Sequence, residues 1–348
     1  MQWIDRVGRR LKLRDLHILL AVVQCRSMAK AASELAISQP AVSKAIADME
    51  HALGLRLLDR TRQGIEPTMY GRALIRRGLA VFDELRQGVK ELEFLADPTA
   101  GELRIGSQES IAAGLLPAII DRFSQQYPRV ALHVAQAVFG TMLYRELRER
   151  TVDVVLSRIL APLPEDDLEV QILLDDPIVV VAGQQSRWAR RRSLKLADLA
   201  DEAWILPPAD SEPGALAADL FRASGLDIPR SPLKTLSIHL CGRLVATGRF
   251  VAVLPSSVLH FRANDLSLKV LPVKLPVQLH PVGIVTLKNR TLSPVTELFI
   301  SCAREVTHAL AKTEASGRSA RELEQADRDR PRRNQGRTLA RRRLGPRS

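Results

Sequence analysis

Aromatic side chains make up only 4% of this 348-residue sequence, so its cores must be built from Leu, Val, Ile and Ala rather than from stacked rings. Cysteine is scarcer still. Cys25, Cys241 and Cys302 are odd in number and far apart, without C-x-x-C spacing or a histidine at a zinc-like distance. That argues against a disulfide framework or a metal site and for reduced thiols in a cytoplasmic protein. The seven histidines (17, 51, 133, 239, 260, 280 and 308) are likewise scattered without ligand spacing. No apolar run approaches the roughly 20 residues that span a bilayer. The opening MQWIDRVGRRLKLRD has no h-region and no small-residue cleavage site, so neither a membrane span nor a secretory signal is expected. Also missing are the G-x-S-x-G elbow, H-E-x-x-H, G-x-x-x-x-G-K-[ST] and G-x-G-x-x-G. No catalytic residue, no cofactor and no enzyme activity are therefore expected.

What is present is a basic excess placed at the two ends. Residues 1–96 carry 16 basic against 11 acidic side chains, residues 97–312 carry 24 against 23, and residues 313–348 carry 11 against 5. Basic ends around a nearly neutral middle point to a polyanionic partner, although charge alone does not separate nucleic acid from an anionic membrane.

Residues 11–95 read as nearly continuous helix. Leu16, Leu19, Leu20 and Val23 form one stripe, and Ala29 to Ala36 is a short Ala-rich helix that lets a neighbour approach closely. A third helix is predicted from about Gln39 to Leu53, with Ser38 as N-cap, Pro40 in the first turn and Gly54 as the stop. Val42, Ile46, Met49 and Leu53 would face inward, whereas Gln39, Ser43 and Ala47 lie on another face with Lys44 beside it. LRLLDRTRQGIEPTMYG then suits a two-stranded wing flanked by Arg60 and Arg62. From Thr68 to about Leu95 a long helix carries Leu74, Val81, Leu85, Leu92 and Leu95 as a narrow seam. Dimerisation through a partner helix is its economical reading, and packing on its own chain the alternative. Gly78 and Gly88 weaken the helix and predict a bend.

After the linker Asp97-Pro98-Thr99-Ala100-Gly101 the texture becomes α/β. Strands are expected at Leu103–Ser107, Val130–Ala135, Val152–Leu156 and Ile178–Ala182, alternating with helices such as Ile111–Tyr127 and Thr141–Arg150. This alternation predicts parallel sheet with crossover helices. Crossings at Leu174–Pro177 and Val270–Pro276, the second closed by a helix over 293–311, would make two lobes hinged around a cleft. The expected units are a head over 1–67, a linker helix over 68–96, an α/β domain over 101–312 and a basic tail over 313–348. Within the α/β domain, lobe one spans about 101–175 and 271–312, and lobe two about 176–270. The tail has the composition of a disordered segment.

The run from Leu13 to Gly71 closely resembles the winged helix-turn-helix of LysR-type transcriptional regulators. It carries Ala31-Ala32, Leu35, Ser38-Gln39-Pro40-Ala41-Val42-Ser43, Ile46, Glu50, Leu53-Gly54, Leu57-Leu58, Asp59-Arg60, Thr68 and Gly71. Leu103-Arg104-Ile105-Gly106, Leu116-Pro117, Val152-Asp153-Val154, Trp204-Ile205-Leu206 and Gly248 with Leu254-Pro255 extend the likeness over residues 10–312. The resemblance implies an α plus α/β architecture: a winged helix-turn-helix, a linker helix and a two-lobed, periplasmic-binding-protein-like effector domain. It also implies a homodimer or homotetramer on double-stranded DNA and a small-molecule effector. The nearest branch controls sugar uptake or aromatic-acid catabolism, so a sugar or an aromatic or organic acid is the implied ligand.

A recognition helix must place short polar side chains at its N-terminal end to reach base edges. Gln39 suits adenine, Ser43 a base or a phosphate, and Pro40 and Ala41 a thymine methyl, while Ser38 caps the helix. Lys44, Arg60 and Arg62 suit phosphate. In the effector domain, ligands of an open α/β sheet bind beyond the carboxyl ends of strands. This selects Ser107, Gln108 and Ser110 after the first strand, with Ser110 matching a ligand-binding position of the family. Thr141, Arg158, Pro207, Thr235 and His239 follow at the other strand ends. Ser107 and Ser110 could equally cap their helix, and Glu109 would repel a carboxylate or bind a sugar hydroxyl. The basic tail could add phosphate contacts or be idle. A DNA-binding regulator with no ligand response, or a stand-alone solute-binding protein, are the rival readings.

Overall fold

The computed structural model describes residues 11–137, 140–159, 166–260, 267–276 and 281–310. The expected basic tail over 313–348 therefore lies outside the described residues.

The head begins with α1 (Leu13–Cys25), α2 (Met28–Glu34) and α3 (Gln39–Leu53). Each boundary has a local cause. Ser27 caps α2 by accepting from Lys30 N, Ser38 caps α3 by accepting from Ala41 N, and Gly54 ends α3 in the left-handed conformation at φ 68°. Leu19, Val22, Ala31, Val42 and Met49 are wholly buried where the three helices meet. The wing follows as β1 (Leu58–Thr61) and β2 (Gly64–Pro67), antiparallel with Leu58 opposite Pro67.

Helix α4 (Met69–Ala96) is one unbroken element of 28 residues, capped by Thr68. Gly78 is not the weak point that its residue type suggests. A Cβ there would meet Leu16 at 2.9 Å, so its missing side chain is what lets α4 lie against α1. Leu74, Ile75 and Phe82 complete that contact with the head.

Beyond α4 two five-stranded sheets form. The first has the order β4-β3-β5-β12-β6, from β3 (Ala100–Gln108), β4 (Arg129–Ala137), β5 (Val154–Arg158), β6 (Leu168–Asp175) and β12 (Pro281–Leu287). The second has the order β11-β7-β10-β8-β9, from β7 (Ile178–Gly183), β8 (Trp204–Leu206), β9 (Leu233–Lys234), β10 (Val251–Pro255) and β11 (Leu268–Val270). Strands β4, β3 and β5 are parallel, as alternation with helices predicts. Both sheets are nonetheless mixed. Strand β12 returns from the second sheet and runs antiparallel to β5 and β6, and β7 runs antiparallel to β10 and β11. The chain thus passes between the sheets twice, at Asp176-Pro177 and again between β11 and β12.

The helix expected over Ile111–Tyr127 is two helices, α5 (Glu109–Ala113) and α6 (Leu115–Gln126), broken at Gly114. A Cβ on Gly114 would stand 3.1 Å from the main chain of Ser257, which belongs to the other lobe. Glycine at this position therefore both interrupts the helix and leaves room for the other lobe to approach. Helix α7 (Gly140–Arg148) covers the first sheet, and α8 (Glu212–Ala223) and α9 (Ile238–Val245) the second. A short helix, α10, over 256–260 follows β10, and α11 over 294–310 packs Phe299 and Ala303 into the core of the first sheet.

Helix α4 presents two faces. On one, Asp83, Gln87, Lys90 and Phe94 recur at three- and four-residue spacing and meet the first sheet's lobe. Asp83 is 3% exposed. Arg290 donates to it from Nε and Nη2 at 2.8 and 3.1 Å, Arg150 at 2.6 Å, and Arg86 pairs with it as well. Arg290 also reaches Asp153 at 2.9 Å, and Lys90 reaches the same carboxylate at 3.1 Å. Burial pushes the Asp83 carboxyl up, but the bond and charge of Arg290, then Arg150 and Arg86, outweigh it and hold the group at about 2. On the opposite face Val81, Leu85, Val89, Leu92 and Leu95 are exposed.

Removing one partner from such a buried cluster strands the others. Asp83→Ala is expected to cost about 3–5 kcal/mol of unfolding free energy, measured by urea denaturation. A loss below about 1 kcal/mol would show that the cluster does not hold the helix. Because the folded carboxyl titrates below its ordinary 3.8, its contribution is complete above that value and disappears as pH falls towards 2. Stability followed from pH 6 to pH 2 should show this loss in the parent and not in Asp83→Ala.

Candidate nucleic-acid interface and effector cleft

The N-terminal end of α3 projects from the head with its polar side chains outward. Gln39, Pro40 and Lys44 are exposed, and Ala41 and Ser43 are half-buried. The Ser38 hydroxyl is occupied by capping at 3.4 Å. The Ser43 hydroxyl donates to the sulfur of Met28 at 3.3 Å, which ties it to α2 and leaves its lone pairs to accept from outside. Arg60 lies on β1 and Arg62 in the wing turn, both exposed. The turn is held by Thr61, whose Oγ1 donates to Gly64 O and accepts from Gln63 N.

Glu50 ties the wing to the recognition helix, a role that sequence spacing alone does not reveal. Its carboxylate, on the last turns of α3, accepts from Leu57 N at 2.7 Å and Leu58 N at 3.2 Å. Ile65 N also donates to Arg26 O at 3.0 Å, anchoring β2 to the turn between α1 and α2. The strands that carry or flank the wing arginines are therefore tied to the helices of the head by hydrogen bonds from main-chain N–H groups. Such an arrangement offers short polar groups for base edges beside cations for phosphate.

Between the two sheets lies a cavity of about 110 Å³. Five of the strand-end residues selected from the sequence line it: Gln108, Ser110, Arg158, Pro207 and Thr235. Of the other three, two are placed elsewhere and one has no described side chain. Ser107 is wholly buried and donates to Gln108 O at 3.2 Å, because alternation along β3 turns it away from the cleft. Thr141 stands at the opening of α7, and its side chain lies outside the described residues. His239 is exposed on α9, where the helical phase turns its neighbours Ser237 and Ile238 into the cavity instead.

The cleft also contains groups that the strand-end rule does not select. Glu212 opens α8, after Ser211, which caps the helix by accepting from Gly214 N. Gln108 Nε2 donates to Glu212 at 3.2 Å across the gap between lobes, while its Oε1 accepts from Arg158 N at 2.9 Å. Arg158 is not presented to the cavity as a bare cation. Its guanidinium donates to the carboxylate and to the main-chain oxygen of Asp176, each at 2.7 Å. Asp176, at the first crossing, also accepts from Ser256 Oγ and from Ser257 N and Oγ at 2.8–3.0 Å. The floor of the cleft is thus a polar network linking β5, the crossing and the start of α10. The Ser211-Glu212-Pro213 sequence, a capped helix start just after the Pro207-Pro208 turn, was the available signal for Glu212.

Among the described residues no group of three or more His, Cys, Asp or Glu could hold a metal ion, and no helix is long and apolar enough to cross a membrane.

Residues 13–72 match "Bacterial regulatory helix-turn-helix protein, lysR family", and residues 96–308 match "LysR substrate binding domain". A curated relative, the HTH-type transcriptional regulator GbpR of Azospirillum brasilense, is 29% identical over 296 residues, covering 85% of this chain and 86% of its own. The fold is shared with a full-length OxyR variant from Pseudomonas aeruginosa, at a TM-score of 0.62 and 22% identity over 84% of this chain and 98% of that one. It is shared also with full-length CbnR complexed with its target DNA, at a TM-score of 0.50 and 21% identity over 85% and 100%. The exposed α3 end beside a tethered wing, the long helix and the two-sheet cleft are thus the parts of one known design, and the chain belongs to the LysR family of DNA-binding transcription regulators with an effector-binding domain, not to a family of enzymes.

Proposed function

We propose that this protein reads a specific operator with the N-terminal end of α3 and that a small molecule in the inter-lobe cleft modulates this binding. The observation that carries the reading is the cleft itself, crossed by a hydrogen bond between lobes, from Gln108 to Glu212. A ligand that replaces or reinforces that bond prefers one closure state. Such preference is the only route by which a ligand shifts the equilibrium.

In this reading Gln39 reads a base edge, Ser43 a base or phosphate, and Pro40 and Ala41 a methyl group. Lys44, Arg60 and Arg62 hold phosphates. Gln108, Ser110, Arg158, Pro207 and Thr235 form the effector site. Two copies join through the exposed α4 seam of Val81, Leu85, Val89, Leu92 and Leu95, as a dimer or a pair of dimers. The regulator works in the cytoplasm, where its DNA is. Of the two ligand classes implied by the family branch, the ionisable groups of the cleft weigh against an organic acid.

Gln39→Ala is expected to reduce discrimination between operator and random DNA by about 1–3 kcal/mol. Arg62→Ala should instead weaken binding to both and flatten the salt dependence. Titrations on the DNA upstream of the protein's own gene, with random competitor at several salt concentrations, separate the two. Identical behaviour of the variants would overturn these roles. A footprint unchanged by every ligand shown to bind the cleft would favour a regulator without a ligand response.

The thiols support a ligand rather than an oxidant as the input. Burial pushes Cys241, on the cleft wall, up to about 12 and raises Cys302 as well, while donation to Glu34 raises Cys25. None is poised as a thiolate. Peroxide at millimolar concentration is expected to leave operator affinity unchanged, checked by the same titration with mass analysis of the three cysteines.

A further inference from the structure

The effector cleft carries two carboxylates and, among its described lining residues, one cation already held by an acid. Glu109 enters from the start of α5 in one lobe, and Glu212 from the start of α8 in the other. Both are half-buried. Arg158 is bound by Asp176, with side-chain exposures of 6% and 1%, so the pair presents no net charge. Lys234 and His239, which flank the lining residues Thr235 to Ile238 in the chain, are exposed and do not line the cavity. An anionic ligand would face two like charges in a partly dry cleft, where their repulsion is stronger than in bulk water.

The remaining wall is aliphatic. Ile178, Ile205, Leu216, Ile238 and Leu254 line it, and no described aromatic side chain does. A sugar would find no ring to stack on, and its hydroxyls would have to cover an aliphatic wall. The hydroxyls of Ser110, Thr235 and Ser237 donate or accept equally and do not decide the ligand's charge. The cavity volume, about 110 Å³, suits one ring or a short chain.

We infer that the effector is a small apolar amine, its hydrocarbon body on the Ile and Leu wall and its ammonium paired with Glu212 and Glu109. This rests on the reading of the cleft as the effector site. Such a head takes the Glu212 carboxylate now bound by Gln108 and gives the two lobes a shared counter-ion, which favours closure.

The test uses the full chain and probes that share a carbon body: 2-phenylethylamine, 2-phenylethanol and phenylacetate, then hexylamine, hexanol and hexanoate, with galactose as the sugar. Calorimetric titration should show each amine binding at least about ten-fold tighter than its alcohol, and the carboxylate weakest. Glu212→Gln should remove most of that preference while the alcohol's affinity stays within about two-fold, and Leu216→Trp, which fills the cavity, should abolish all binding. Operator binding and the unfolding transition of each variant establish that it is folded. If phenylacetate, hexanoate or galactose binds tighter than the amines and Leu216→Trp blocks it, the cleft is the effector site and the amine assignment is wrong. If binding survives Leu216→Trp, the cleft reading fails and the amine assignment with it. Absence of binding by any probe at millimolar concentration also overturns the amine assignment.

Discussion

A carboxylate on the linker helix, Asp83, sits with almost no solvent contact among three arginines, two of them contributed by the effector domain. Taking these charges out of water is costly, and the attraction between them offsets most of that cost rather than adding a large surplus. The gain is geometric. Arg290 bridges Asp83 on α4 and Asp153 beside β5, so the helix can seat on this lobe at one rotation and one height. An apolar patch of the same area would tolerate sliding, whereas a bidentate guanidinium does not. The orientation of the head relative to the cleft depends on this contact, because α4 is continuous from the wing to the first sheet.

A second polar network does for the lobes what the first does for the helix. Arg158, Asp176, Ser256 and Ser257 join the floor of the cleft through the crossing segment, with Gln108 reaching across to Glu212. The two networks share the first sheet, since β5 carries Arg158 at its end and follows Asp153 at its start. A change at the cleft floor and a change at the linker helix are therefore separated by a single short strand, wholly buried along its length. That is a short and stiff path.

Much of this was legible in the sequence where local chemistry decides. Helix α3 starts at Ser38-Gln39 and stops at Gly54 because capping is a matter of a few neighbouring residues, and the wing follows from a glycine turn between two short strands. The two-lobed arrangement was visible in the alternation of strand and helix taken with the two crossings expected at Leu174–Pro177 and Val270–Pro276. What escaped reading depends on residues far apart in the chain. The approach of Ser257 to Gly114 joins residues far apart in the chain, and β12 becomes antiparallel because the chain returns from the other lobe. Ser107 and His239 missed the cleft for smaller reasons, a pleat in β3 and the phase of α9. The capped start at Ser211-Glu212 is a local signal, but only the fold brings Glu212 to face Gln108, about a hundred residues earlier. The basic excess of the head was readable, but the role of Glu50 in holding the wing was not.

The two faces of α4 are about half a turn apart, since Val81 and Asp83 differ by two residues at ~100° each. The inward face is committed to the lobe and the outward face is free to meet a second copy. Both are counted along one rod from the same head. One residue added between Gly78 and Asp83 would advance the rod by ~1.5 Å and turn everything beyond it by ~100°. The head would then be out of phase with the docked lobe and the seam, which turn together. Length changes in this helix are tolerable only near whole heptads, so α4 acts as the timing shaft of the molecule, where a side chain can be exchanged more readily than a residue can be gained or lost.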